Sequence, residues 1–120
     1  MILVDTSVWI DHFRSSNRVL AELLDEGQVL VHPFVLGEIA CGNLRNRKEI
    51  VSLMRALPMA PKASDCEILF FVEQHNLMGC GIGLIDIHLL ASCLMQPCSL
   101  WTASQRLKAV ATNFEAAFDP

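Results

Sequence analysis

The chain alternates between two hydrophobic rhythms, short unbroken apolar runs and longer stretches with helical spacing. Ile2-Leu3-Val4 has no polar alternation, the pattern of a strand covered on both faces of a parallel sheet. It stops at Asp5, and Asp5-Thr6-Ser7 leads into Val8-Trp9-Ile10, so a tight turn and a helix start follow, with Thr6 or Ser7 able to cap. Ser15 or Ser16 can cap a second helix, whose Val19, Leu20, Leu23 and Leu24 form one stripe before Gly27 ends it. Gln28 to His32 reads as the next strand, closed by Pro33, and Phe34 to Cys41 as a short helix. Asn46 with Glu49 resembles a capping box that opens a helix with Ile50, Leu53, Met54 and Leu57 on one face. Leu57 to Ala60 is expected as a brief edge strand, because Pro58 cannot donate to a central ladder. Ser64 and Glu67 form a better capping box for a helix carrying Ile68, Leu69, Phe71 and Val72 and ending near Gly79.

The second half repeats the rhythm. Leu84 to Met95 is a strongly apolar helix stopped by Gln96-Pro97, Cys98 to Thr102 a strand, Ser104 to Ala111 a helix and Phe114 to Phe118 a last short strand. Gly79, Gly81 and Gly83 alternate before the apolar helix, but no GK[ST] follows and the preceding segment is helical, so they do not form a phosphate loop. Strands alternating with helices imply an α/β fold on a mainly parallel sheet.

Length and composition narrow this picture. A chain of 120 residues is expected to form a single domain, residues 1–120, around one core. Its 52 % hydrophobic content leaves apolar surface for a partner or a second copy. A net charge of −4 argues against a general polyanion-binding surface but permits a local one, and Arg45, Arg47, Lys48 and Arg55 fall in one stretch that is either a phosphate-contacting patch or a solvated helix face. Five cysteines without a close CxxC pair indicate neither a disulfide framework nor a zinc site, which fits a reducing cytoplasm. The start of the chain has no basic region before a long apolar core, and every apolar run is interrupted too early to span a bilayer, so a soluble, unprocessed, cytoplasmic protein is expected.

Three acids stand in surroundings that need explaining. Asp5 lies at a strand's carboxyl end, the edge where ligands bind in open α/β sheets, although a carboxylate there can also serve only to cap or turn. Glu38 has Phe34, Val35 and Cys41 as helical neighbours and no cation near in sequence. Asp86 points away from a polar side formed by His88, Ser92 and Gln96 and shares a face with Leu90 and Cys93. Ionised carboxylates buried without partners cost several kcal/mol, so each needs a cation, a set of donors or a watered cavity. A divalent cation would answer all three. Magnesium takes hard oxygen ligands, keeps several waters and is typically held by a few carboxylates plus substrate phosphate oxygens. Arginines from elsewhere in the fold, or backbone N–H groups, are the structural alternative. The four histidines show no ligand spacing, with His88 expected on the polar face, and Trp9 and Trp101 read as core.

Residues 2–13 (ILVDTSVWIDHF), the VLGEIACG stretch around Glu38, GIGLIDIHLLAS around Asp86 and LWTASQRL near the end resemble, in order and spacing, successive motifs of PIN-domain ribonucleases, closest to the VapC-type toxins of toxin-antitoxin pairs. The resemblance implies a three-layer α/β/α sandwich, a Mg²⁺ or Mn²⁺ site for RNA hydrolysis, a homodimer and a small VapB-like antitoxin partner. It gives Asp5, Glu38 and Asp86 the positions of the metal-site acids. One position departs: the family commonly places a fourth aspartate two residues beyond Thr102, where this chain has Ser104. A hydroxyl at Ser104 can hold a metal-bound water but brings no charge, and Thr102 can help position it. Two functions follow as expectations, a metal-dependent endoribonuclease toxin and, as the alternative, a catalytically weakened PIN-like domain that binds RNA or protein. A phosphotransferase using Asp5 as nucleophile is disfavoured, because Ser7 stands where a DxD motif needs its second acid.

Overall fold

A computed structural model describes residues 1–120. Its sheet has the order β2-β1-β3, with β1 (Ile2–Val4) between β2 (Val29–Leu30) and β3 (Ser99–Trp101), every pair parallel. Leu3 stands opposite both Leu30 and Leu100. Leu3 and Val4 are both fully buried, and successive strand residues point to opposite faces, so both sides of the sheet are covered. The architecture is an α/β sandwich with helices on either side of a parallel sheet. The covering elements are α1 (Thr6–Ser15), α2 (Arg18–Asp25), α3 (Pro33–Cys41), α4 (Arg47–Arg55), α5 (Asp65–His75), α6 (Leu84–Met95) and α7 (Gln105–Asn113). None of them is long and apolar enough to cross a membrane.

The two short strands expected at Leu57 to Ala60 and Phe114 to Phe118 are reduced to single parallel bridges, Val31 with Met59 and Leu100 with Ala117. Each adds two ladder bonds to an edge: Val31 N–H donates to the Pro58 carbonyl at 2.9 Å, and Phe118 N–H to the Leu100 carbonyl at 2.9 Å. Pro58 thus supplies only its carbonyl, as an edge position allows.

The helix ends differ in places from the expected caps. Asp5 itself, not Thr6 or Ser7, caps α1. Asn17, not Ser15 or Ser16, caps α2, because α1 runs on through Ser15 and Ser16 turns the chain at φ 43°. Asn46 adopts φ 58°, and its side chain makes no cap bond to α4, since capping needs the extended backbone from which the side chain reaches the second or third N–H. The Ser64–Glu67 capping box forms as expected, but α5 stops at His75 with Asn76 in the left-handed region, short of Gly79.

Burial departs from the periodicity most clearly on α6. Seven consecutive residues, Ile87 to Cys93, are buried, so the supposed polar side of His88 and Ser92 faces inward. The helix lies in the core, where a hydrophobic pattern runs all round rather than along one stripe. Ser92 satisfies its hydroxyl by donating to the carbonyls of Pro61 (2.6 Å) and His88 (3.0 Å). Conversely Leu53 and Leu69, expected to pack, are largely exposed, as are Phe70 and Leu84.

Candidate active site

The parallel sheet brings the carboxyl ends of its strands to one edge, and the acids gather there. Asp5 follows β1 directly, its N–H continuing the ladder to the Trp101 carbonyl at 2.9 Å. Its side chain is 8 % exposed and receives three donors: Thr6 N–H at 2.7 Å on Oδ1, and the hydroxyls of Thr102 (2.7 Å) and Ser7 (3.3 Å) on Oδ2. Capping α1 and facing the sheet edge are therefore both true of this one residue, because its two oxygens divide the tasks.

Thr102 directly follows β3, the strand beside β1, which explains how it reaches Asp5. Its Oγ1 also accepts from the Ser104 N–H at 3.0 Å, while Ala103 N–H donates to the Ser7 hydroxyl at 3.2 Å. Ser104 is exposed, and its own hydroxyl caps α7 by accepting from Leu107 N–H at 3.3 Å. Ser104 is thus joined to Asp5 through Thr102.

Glu38, on α3, is exposed rather than buried on an apolar face. Thr6 Oγ1 donates to its Oε1 at 2.6 Å, tying α3 to the first residue of α1. Thr6 and Ser7 were read from sequence only as capping residues; their contacts with two of the acids give them a place in the site, and two hydroxyls directly after a strand-terminal aspartate were the available signal.

Asp86 sits in the first turn of α6, half-buried, with Oδ2 accepting from the Gly83 N–H at 3.3 Å. Burial is the main force pushing its pKa up; Asp5 and Glu38 add to the rise, and the Gly83 bond opposes it. Asp86 therefore lies within the field of both other acids. No cation answers them, since the salt bridges of the chain join Arg18 to Glu22 and Lys108 to Asp119.

Residues 2–113 match the family described as PIN domain. The chain belongs to the PIN-domain family. This PIN domain is also 41 % identical over 110 residues to the protein called Ribonuclease VapC32 in two strains of Mycobacterium tuberculosis, CDC 1551 / Oshkosh and ATCC 25618 / H37Rv, spanning 91 % of this chain and 89 % of theirs.

The donor set of the PIN domain's sheet edge consists of carboxylate and hydroxyl oxygens, with no thiol or imidazole among them, which suits a hard divalent ion. No three acidic, histidine or cysteine side chains stand close enough to ligate one ion together. The field felt at Asp86 acts over longer distances than a coordination bond, so the two observations are compatible. Asp5, Glu38 and Asp86 would hold such an ion partly through its retained waters, as magnesium commonly allows.

Proposed function

We propose that this PIN domain is a metal-dependent endoribonuclease that hydrolyses RNA phosphodiester bonds and serves, in the cytoplasm, as the toxin of a toxin-antitoxin pair. The observation that carries the reading is the convergence of Asp5, Glu38 and Asp86 at one sheet edge with no cationic side chain to offset them. The kinship with proteins named ribonuclease supports it.

In this reading Asp5, Glu38 and Asp86 hold Mg²⁺ or Mn²⁺. Such an ion lowers the pKa of water and offsets charge on phosphoryl oxygens, so that no serine, cysteine or histidine nucleophile is required. The chain's own residues supply orientation. Thr102 and Ser7 fix the Asp5 carboxylate through Oδ2, and Ser104 holds Thr102 through its backbone N–H. Thr6 fixes Glu38.

The partners proposed are RNA as substrate, a small VapB-like antitoxin and a second copy of the chain. Exposed Leu69, Phe70, Leu94 and Met95 on α5 and α6 supply apolar surface for association. Purified protein incubated with structured RNA and Mg²⁺ or Mn²⁺ should cut it, and lose the activity in chelator or as Asp5→Asn. RNA bound but left intact under all conditions would instead favour the weakened, RNA-binding alternative, for which Ser104 in place of an acid is the motive.

A further inference from the structure

An acidic site on a chain of net charge −4 has to receive a polyanion, so a cation beside it is an electrostatic need. Several of the chain's cations are engaged elsewhere: Arg18 with Glu22, Lys108 with Asp119, Arg47 on the Ala40 carbonyl and Lys62 over the Phe34 ring. Arg106, in the first turn of α7, makes no salt bridge or side-chain hydrogen bond. Its side chain lies against Gly81, where an added Cβ would stand 2.7 Å from Nη1 and 3.1 Å from Cδ, so a side chain at this position would displace the guanidinium. Gly81 also has φ +86°, which disfavours any other residue.

The two segments meeting at this contact both come from the candidate site. Gly81 is two residues before Gly83, whose N–H is bonded to Asp86. Arg106 is two residues after Ser104, which is bonded to Thr102 and through it to Asp5. Arg106 therefore stands between the supports of two acids and forms an ion pair with neither. A guanidinium fork that is exposed, unpaired and close to the acids' supports suits bidentate hydrogen bonding to a phosphate.

We propose that Arg106, seated on Gly81, binds a phosphate of the RNA backbone beside the acidic site and so positions the strand for cleavage. This rests on the ribonuclease reading above. Arg106 contributes binding, and the bond-breaking step stays with the acids.

The test is RNA binding in chelator across a range of salt concentrations, together with KM and kcat in Mg²⁺, for wild type, Arg106→Gln, Arg106→Lys and Arg18→Gln. Arg106→Gln should weaken binding roughly tenfold and flatten the dependence of log affinity on log salt by about 0.7, the loss of one phosphate contact with a single strand. It should raise KM far more than it lowers kcat. Arg106→Lys should restore the salt dependence but only part of the affinity, because a point charge replaces the fork. Arg18→Gln removes the same charge from α2 and should leave the slope unchanged. Wild type that binds and cuts RNA while Arg106→Gln matches it in slope and KM would overturn the assignment, as would equal losses in Arg18→Gln, which would reduce the effect to net charge. Wild type that neither binds nor cuts RNA would overturn the ribonuclease reading itself, and this one with it.

Discussion

His32 caps α3 and Glu38 lies on that helix; α6 carries Asp86 and His88. The same two helices thus deliver an acid each to the sheet edge and a histidine each to the core, and the two pairs answer their surroundings in opposite ways. His32 is fully buried and His88 nearly so, their rings 6.0 Å apart. His32 Nδ1 accepts from Phe34 N–H at 3.0 Å, which puts its proton on Nε2, and neither that atom nor His88 Nδ1 finds a partner. Burial first, then His88 and Lys62, push the His32 pKa down to about 4, so the ring is neutral at physiological pH. A histidine sheds its charge by losing a proton. The acids at the edge have hydroxyl and backbone donors but no ion-pair partner in the chain, so a cation from outside would relieve their repulsion. Buried polar groups that neutralise themselves are structural, whereas those left needing a cation point to chemistry.

The largest effect expected from breaking this contrast is at Asp5. Asp5→Asn should lower metal-dependent cleavage by more than about a hundredfold, since even residues that only orient metal ligands cost 10- to 100-fold when lost. Single-turnover cleavage of structured RNA measures it. Activity within a few-fold of wild type would remove Asp5 from the chemistry and leave it as a helix cap.

The histidine region should show itself through pH. Between about 4 and 6.5 the unfolded chain binds a proton at His32 that the folded chain does not, so stability rises with pH through that window and is complete above 6.5. The gain amounts to at most about 3 kcal/mol for a shift of this size. Urea melts across the window should show the rise in wild type and a much flatter profile in His32→Asn, which keeps an acceptor for the Phe34 N–H but cannot titrate. The same slope in both proteins would assign it to other groups.

The two regions also differ in how far the sequence foretold them. The edge was legible because its parts are local: a strand that stops at Asp5, a helix opening after Pro33, and Asp86 after the glycines each announce an element boundary, and boundaries of a parallel α/β sheet converge on one edge. The His32–His88 contact was not, because periodicity on α6 assigns His88 and Ser92 to a solvated face and only the packing of α6 against its neighbours shows that this helix has no such face. Glu38 failed in the other direction. Its apolar neighbours in sequence suggested burial, yet α3 is too short and too peripheral to enclose both of its sides. Long-range partners such as Thr102 for Asp5 leave no trace in local spacing.

A change at Ser104 should sharpen the contrast by adding charge to the edge. Ser104→Asp preserves a residue type able to cap α7 and brings a fourth carboxylate to within one residue's reach of Thr102. Affinity for Mg²⁺ or Mn²⁺ should rise about tenfold, with melting temperature raised by metal more than in wild type, because a ligand of the native state stabilises it by mass action. Calorimetric titration gives the affinity. No change would mean that the side chain is wholly committed to the α7 cap and faces away from the acids.

The smallest effect expected is also the one that separates the acids from one another. In chelator the three carboxylates repel, and a neutral substitution should relieve the site, but the hydrogen bonds decide where relief exceeds loss. Asp5 has three donors and caps α1, so Asp5→Asn gives up acceptor capacity on Oδ2 toward Thr102 and Ser7 and should destabilise the metal-free protein by about 1 kcal/mol. Asp86 has one weak bond from Gly83 and a pKa raised by burial, Asp5 and Glu38. Between its ordinary value of 3.8 and that raised value the folded chain holds a proton the unfolded chain has lost, so this residue's contribution declines as pH rises, opposite in sign to His32. Asp86→Asn removes that decline and should leave the chelated protein stabilised by less than about 1 kcal/mol at neutral pH, with no benefit below pH ~4 where the wild-type acid is already protonated. Paired melts of both variants in chelator at neutral and acidic pH test this directly. If Asp86→Asn instead lost stability as Asp5→Asn does, the Gly83 bond would outweigh the repulsion, and Asp86 would belong with the residues that hold the fold rather than those that strain it.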